Sequence, residues 1–220
     1  MTNGIVIEAR KEPFAAGIEA LRGLPSSVIS DVMGRLVGST GLRPVNRSPV
    51  SVCGNAVTVR VRAGDNLLIH KALTLLKPGD VLLVDGEGDV SRALVGEIMM
   101  TSARVAGAVG FVIDGAIRDV EAFEQHRFPC WARGVNLRGP YKDGPGTINL
   151  PINVGGMRVN PGDIIVGDAD GLVAVTPGEA LDIAQKAKAK VNDEQATIQA
   201  ILDGHYSSDW VDAALKQKGA

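Results

Sequence analysis

Aromatic residues make up only 4% of this 220-residue chain. So thin a supply offers no stacking platform for single-stranded nucleic acid. Basic residues are not in excess either: 23 Lys and Arg stand against 25 Asp and Glu, a formal net charge of -2. A surface without a positive balance has little with which to neutralise phosphates, so nucleic acid is not expected as a partner. The two cysteines, Cys53 and Cys130, belong to no CxxC or Cys/His cluster. That spacing argues against a zinc site and a disulfide framework and fits a reducing cytoplasm. No apolar run approaches the ~18 residues of a membrane-spanning helix. Residues 1–14 carry mixed charges without the apolar stretch of a signal peptide. Neither a membrane nor export is therefore expected. Also missing are a GxGxxG fingerprint, a Walker loop and a GxSxG elbow.

What is present is an ordinary globular balance, 45% hydrophobic and 22% charged, in a chain long enough for one sizeable core. The 27 glycines imply many tight turns. The pattern predicts helix over 14–37, with Ser26 or Ser27 as a cap, and a half-buried strand over 55–62. A short helix is expected over 66–76, stopped by Pro78-Gly79. The apolar runs 81–84 and 109–113 each end in Asp-Gly, with a helical stretch between them. Strand, helix, strand over that distance predicts a parallel βαβ unit buried on both faces. Its strand ends would gather acidic loops at one edge, where α/β proteins usually place ligands. Strands are expected over 129–135, 147–154, 157–159, 164–168 and 172–175, with Gly155-Gly156 as a hairpin turn. A long helix over 178–203 precedes an arm, 205–220, that carries Tyr206 and Trp210.

The main chemical candidate is Arg118-Asp119, just past the second buried run. A guanidinium is a planar fork suited to a carboxylate or keto oxygen, and a lone carboxylate can hold a largely hydrated Mg²⁺. The plainer reading of the pair is a surface ion pair or a capping Asp for the next helix. The segment Gly96-Glu97-Ile98-Met99 could open a helix and offer free amides to an anion; alternatively, the helix is capped earlier, at Ser91. Asp65, Asn66 and His70 form a third polar cluster, in which His70 can equally be structural. Asp85, Glu87 and Asp89 suit a solvated loop, Asp168 and Asp170 suit turns, and Glu194 suits a solvated helix face.

The run GEIMMTSARVAGAVGFVIDGAIRD, residues 96–119, resembles the signature of the RraA-like family. So do GGMRVNPGDIIVGDADGLVAVTP (155–177), GDNLLIHKAL (64–73) and KPGDVLLVDG (77–86), within a resemblance covering about 24–204. The family holds 4-hydroxy-4-methyl-2-oxoglutarate / 4-carboxy-4-hydroxy-2-oxoadipate aldolases and the regulator of ribonuclease E activity A. The resemblance implies an α/β, β/β/α swivelling fold, similar to the phosphohistidine domain, with a parallel βαβ core and a β-rich second half. It also implies one domain over 1–204 with 205–220 as a C-terminal arm, and a homotrimer or dimer of trimers. It assigns Asp119 to the metal (Mg²⁺, Mn²⁺ or another divalent cation) and Arg118 to the 2-keto acid. The amides of Gly96, Glu97, Ile98 and Met99 would receive the pyruvate carboxylate, and Asn66 and His70 would line the cleft. Glu97, where similar aldolases carry Asp, would orient water, and Glu194 would come from a neighbouring subunit. The implied activity is a metal-dependent carbon–carbon lyase with an oxaloacetate decarboxylase side activity. The alternative is a non-catalytic protein-binding regulator. A methyltransferase reading lacks the glycine-rich cofactor loop it would need.

Overall fold

The computed structural model describes residues 4–219. Its elements, in chain order, are β1 (Ile5–Ile7), α1 (Ala15–Leu21), α2 (Ser26–Val32), β2 (Arg43–Pro44), β3 (Val52–Val61), α3 (Leu67–Leu73) and β4 (Asp80–Asp85). Then come β5 (Ala93–Val95), α4 (Glu97–Val105), β6 (Gly110–Ile117), α5 (Val120–Gln125), β7 (Cys130–Val135), β8 (Gly146–Ile148), β9 (Ile152–Val154) and β10 (Met157–Val159). The chain closes with β11 (Ile164–Gly167), β12 (Leu172–Val175), α6 (Ala180–Leu202) and α7 (Asp209–Gln217). This is a mixed α/β fold.

Among the described residues, ten strands join one mixed sheet whose main path runs β1-β8-β3-β4-β6-β7-β2. The centre, β3-β4-β6-β7, is parallel. β11 lies antiparallel to the first half of β3 and carries β12 on its far side. Alternation along β4 shows why its sequence lacks a polar face. Leu82 and Val84 enter a core shared with α3, α4 and α5, while Val81 and Leu83 enter a second core under the β9–β10 hairpin. Both sides of the strand are covered, so all four residues are apolar. A third core packs α1, α2 and the first half of α6 on β11 and β12. No helix among the described residues is long and apolar enough to cross a membrane.

Several expectations need correction. The helix expected over 14–37 is two helices, separated by Gly23 in the left-handed region (φ 77°) and by Pro25. Neither serine is the cap: the Ser26 amide and hydroxyl both bond the Asp168 carboxylate, at 2.7 and 2.6 Å, so a residue far along the chain caps α2. The strand expected as half-buried over 55–62 starts at Val52 and is covered on both faces, with Arg60 alone exposed along it. The segment 147–154 is two strands in different sheets, parted at Asn149 (φ 59°) and Pro151. β6 does not end at Asp114-Gly115 but runs through to Ile117. Asp114 is buried, paired with Arg133, and accepts a bond from the Gly155 amide, so it is no ligand loop. Gly115 is required there because a Cβ would stand 2.8 Å from Leu94 of the overlying β5. Strands β1, β2 and β5 and helix α5 have no counterpart in the sequence reading, and the segment 205–220, expected as an arm, carries helix α7.

One buried ion pair ties the N-terminal segment to the sheet. The Asp80 carboxylate accepts from Arg10 Nε and Nη2 at 2.8 and 2.7 Å, from Asn55 Nδ2 at 2.9 Å and from the Lys77 amide at 2.8 Å. Asp80 is fully buried and Arg10 nearly so. An asparagine would keep the shape but remove the buried counter-charge, leaving the guanidinium only the exposed Glu12 carboxylate at 3.3 Å. Asp80→Asn should therefore cost about 3 kcal/mol of stability. Urea unfolding should show a lower midpoint with an unchanged slope.

Candidate active site

The site forms where β5 and β6 end and α4 begins. Gly96 is the N-cap of α4 and Glu97 its first residue, so the helix opens at Gly96 and not at Ser91. An α-helix leaves its first amides without helical partners. The Glu97 amide is taken by Asp119 Oδ2 at 3.0 Å, and the Met100 amide reaches Gly96 O at 3.0 Å. The amides of Ile98 and Met99 between them stay open. Asp119 sits in the left-handed region (φ 59°, ψ 41°) at the head of α5, yet its carboxylate caps α4 instead of its own helix. Asp and Asn tolerate this conformation better than other side chains. Arg118 is anchored by its amide on Val95 O at 3.0 Å, and its Nε lies 3.6 Å from Asp119 Oδ2. At that distance the pair attract without a hydrogen bond, and the guanidinium donors remain free for a ligand. Both side chains are a little under half exposed.

Gly96 makes this crowding possible. Its backbone is extended (φ -156°, ψ -164°), a shape any residue adopts, so the requirement is for space. A Cβ there would fall 2.4 Å from Asp119 Oδ2, 3.0 Å from Arg118 Cγ and 3.3 Å from Arg118 Nε.

A cleft of about 230 Å³ opens beside this corner. Gly96, Ile98, Met99, Arg118, Asp119, Asn66 and His70, all singled out in the sequence, line it together with Lys142. Asn66 is buried; its Nδ2 donates to Leu94 O at 3.0 Å, while its Oδ1 has no donor. A buried acceptor without a partner is costly, and this one faces the cleft, although Asn55 and Asn149 elsewhere in the chain also bury a carboxamide oxygen without a donor. Burial, and then the charge of Lys142, hold the His70 imidazole below its usual pKa. Asp65 is structural: its carboxylate accepts from the amides of Leu67, Asp143 and Gly144 at 2.9, 2.7 and 3.0 Å.

The remaining candidates lie apart from the cleft. Glu97 lines an adjoining depression on the other side of Asp119, with Glu121 and Gln125. Glu194 lies on α6, paired with Lys190, which also reaches Asp31. Within this chain it lines no part of the cleft. The acidic loop is already engaged: Asp85 accepts from the Glu87 amide, Asp89 from Ser91, and Glu87 pairs with Arg60 of β3. Burial pushes the Cys53 thiol up to about 11 and the Cys130 thiol further, which makes both inert as nucleophiles at neutral pH.

Lys142 is the charged cleft residue that sequence reasoning missed. It lies on an irregular loop with no motif around it, and contacts of that loop with Gly64, Asp65, Asn66 and Arg92 bring it to the cleft.

The donor set bears on a metal. Among the described residues no three His, Cys, Asp or Glu side chains converge, so an all-protein cage is excluded there. Mg²⁺ and Mn²⁺ do not need one, because one or two carboxylates with waters and ligand oxygens suffice. Asp119 Oδ1 is uncommitted, and the space that a Cβ would fill at Gly96 lies against this carboxylate. The residues therefore fit a hard, mostly hydrated divalent cation.

Comparison with known proteins agrees in direction. The sequence model of the RraA-like family, described as Aldolase/RraA, matches residues 26–174. A protein of Halalkalibacterium halodurans, provisionally named 4-hydroxy-4-methyl-2-oxoglutarate aldolase, is 42% identical over 187 residues, covering 84% of this chain and 89% of that protein. The structure of the RNA-processing inhibitor RraA from Thermus thermophilis superposes with a TM-score of 0.63 at 28% identity, covering 69% of this chain and 92% of that one. Streptomyces coelicolor RraAS2, described as an unusual member of the RNase ES inhibitor RraA family, gives 0.76 at 25% identity, covering 84% and 96%.

Proposed function

The chain belongs to the RraA-like family, and from that premise we propose that it is a divalent-metal-dependent aldolase. Its substrate is a 4-hydroxy-2-keto acid such as 4-hydroxy-4-methyl-2-oxoglutarate, cleaved to pyruvate and a second keto acid. Oxaloacetate decarboxylation accompanies it as a side activity. The observation that carries the reading is the convergence of Arg118, Asp119 and the open α4 amides on one cleft.

In this reading Asp119 holds the cation, which when bound supplies electrophilic polarisation of the 2-keto oxygen. The Ile98 and Met99 amides receive the pyruvate carboxylate at the positive end of α4. Arg118 lies against the 2-keto group and stabilises charge more in the transition state than in the substrate, which is what lowers a barrier. The distal hydroxyl loses its proton to a water oriented by Glu97, with Glu194 contributed by a neighbouring copy. The C3–C4 bond then breaks, its electron pair passes to C3 as the enolate of pyruvate, and protonation at C3 completes the turnover. Loss of CO₂ from oxaloacetate generates the same enolate, hence the side activity. Asn66 and His70 line the wall along which the substrate lies. The working assembly is a homotrimer or a dimer of trimers in the cytoplasm, each subunit a swivelling-type α/β domain over 1–204 with 205–220 as an arm.

Pyruvate release from 4-hydroxy-4-methyl-2-oxoglutarate and from oxaloacetate should vanish with EDTA and return with Mg²⁺ or Mn²⁺. No turnover of either compound by folded, metal-supplied protein would contradict the assignment. The second reading is a protein-binding regulator, and the likeness to the Thermus RraA structure favours it. A regulator has no need of Asp119, whereas the lyase depends on it.

A further inference from the structure

We propose that β1 is a twofold contact between copies of this chain: it pairs antiparallel with β1 of a second copy, about an axis at Val6, and joins two trimers into a hexamer. The inference rests on the proposed trimer and concerns what holds two of them together.

β1 ends the main path of the sheet, with β8 on one side and, among the described residues, no strand on the other. An open edge invites pairing with another chain, and proteins usually guard it with proline, charge, a bulge or a cover. The other terminal strands of this sheet are guarded. β2 is two residues long and ends in Pro44. Ala93 of β5 donates its amide to Arg138 O, and Leu172 of β12 accepts from the Ser39 amide, both at 2.9 Å. β1 carries no such device. Ile5, Val6 and Ile7 are uncharged and β-branched, yet 39%, 40% and 45% exposed. Side chains alternate across a strand, so apolar surface lies open on both faces of the sheet at this edge.

The backbone of the strand is complementary to itself. Gly4 O accepts from the Gly146 amide at 3.2 Å, and the Glu8 amide donates to Ile148 O at 3.0 Å. Successive residues of a strand turn their polar groups to opposite sides. Gly4, Val6 and Glu8 therefore serve β8, while Ile5 and Ile7 present two amides and two carbonyls to the open side. About a twofold axis at Val6, Ile5 of each copy faces Ile7 of the other and exchanges both bonds with it, four bonds in all. Val6 meets its own counterpart in the closer pair, which shares no hydrogen bond. The same register sets Glu8 against Gly4, so no like charges meet across the axis.

Six apolar side chains and four main-chain bonds make too small a contact for a dimer of single chains, since stable interfaces bury about 1,200 Å² or more. A trimer repeats the contact at each subunit. A twofold contact made three times closes two rings into one hexamer and leaves no edge to propagate.

Light scattering should give the parent the mass of six subunits. Val6→Lys sets two ammonium groups face to face on the axis and should reduce that mass to three subunits, with circular dichroism unchanged. Val6→Thr, β-branched and uncharged, should stay hexameric. Cysteine variants read the register. Counterparts at the axis have Cα atoms about 4.5 Å apart, a separation that suits a disulfide. Val6→Cys should therefore cross-link into pairs on mild oxidation. Ile5→Cys, displaced by two positions from its own counterpart, should not, and the native Cys53 and Cys130 are buried. A trimeric parent, an unchanged mass in folded Val6→Lys, or cross-linking no better in Val6→Cys than in Ile5→Cys would overturn the proposal. A monomeric parent would overturn the trimer with it. Absent aldolase turnover would contradict the lyase reading and leave these masses and cross-links standing.

Discussion

Asp119→Asn should lower pyruvate release by roughly 10³-fold or more while the chain stays folded. Asparagine tolerates the left-handed backbone at this position, and its amide oxygen can still accept the Glu97 amide. What it loses is negative charge, and with it the group assigned to hold the cation. The ion pair with Arg118 is half-exposed and long, so its loss should cost at most about 0.5 kcal/mol. Asp119→Ala is the harsher change. It removes the cap on α4 as well and places a β-carbon residue without a polar group in the left-handed region, together about 2 kcal/mol. A stability loss of that size lowers the melting temperature of a chain this long by several degrees. Activity lost equally in both variants, with melting shifted only in the alanine one, would separate the chemical role of Asp119 from its structural one. An asparagine variant within tenfold of the parent would show that the carboxylate is not the metal ligand.

The second large effect is expected at Gly96, a residue with no side chain to contribute. In Gly96→Ala the added methyl would stand 2.4 Å from Asp119 Oδ2 and 3.0 Å from Arg118 Cγ. Asp119 and Arg118 must both retreat, because the opposing strand ends are fixed by the Arg118 amide on Val95 O. A misplacement of about 1 Å at reacting groups costs on the order of 10²-fold in rate. Both polar partners move together here, so a fall in kcat of about 10²- to 10³-fold is expected. The extended backbone of Gly96 accepts alanine, so far-ultraviolet circular dichroism should match the parent. An active Gly96→Ala protein would mean that the corner of β5, α4 and β6 is not where the chemistry occurs.

The sequence made the centre of the fold readable and the periphery much less so. The runs 81–84 and 109–113 were legible as buried parallel strands because covering both faces of a sheet leaves no polar alternation. Gly155-Gly156 was legible as a hairpin turn, and both residues do take positive φ, 57° and 77°. By contrast, Ile5–Ile7 and Ala93–Val95 are three residues each, too short for a period to show, and they exist only through pairing with β8 and β6. The break at Asn149 was hidden because residues on both sides of it suit strands; what parts them is a left-handed backbone that asparagine tolerates. Asp114-Gly115 misled because Asp-Gly ordinarily marks a turn, whereas here the acid is paired with Arg133 and the glycine admits Leu94.

The site divides in the same way. Gly96, Arg118 and Asp119 lie on a contiguous β-α-β stretch, so resemblance over 96–119 brought them forward together, and the structure sets them within contact of one another. Local spacing alone left Asp119 as an ion-pair partner or a cap for the next helix; it does lie beside Arg118, but the helix its carboxylate caps is the preceding α4 and not α5. Lys142 was illegible because its position depends on Asp65 and Arg92, distant in sequence and unmarked by any motif.

The central claim is that Asp119 makes this chain a lyase, and the most direct measurement is pyruvate formation from 4-hydroxy-4-methyl-2-oxoglutarate with Mg²⁺, in the parent and Asp119→Asn side by side. The account predicts steady release by the parent and a loss of roughly 10³-fold in the folded variant. Equal release by the two proteins, or none from a folded and metal-supplied parent, would contradict it.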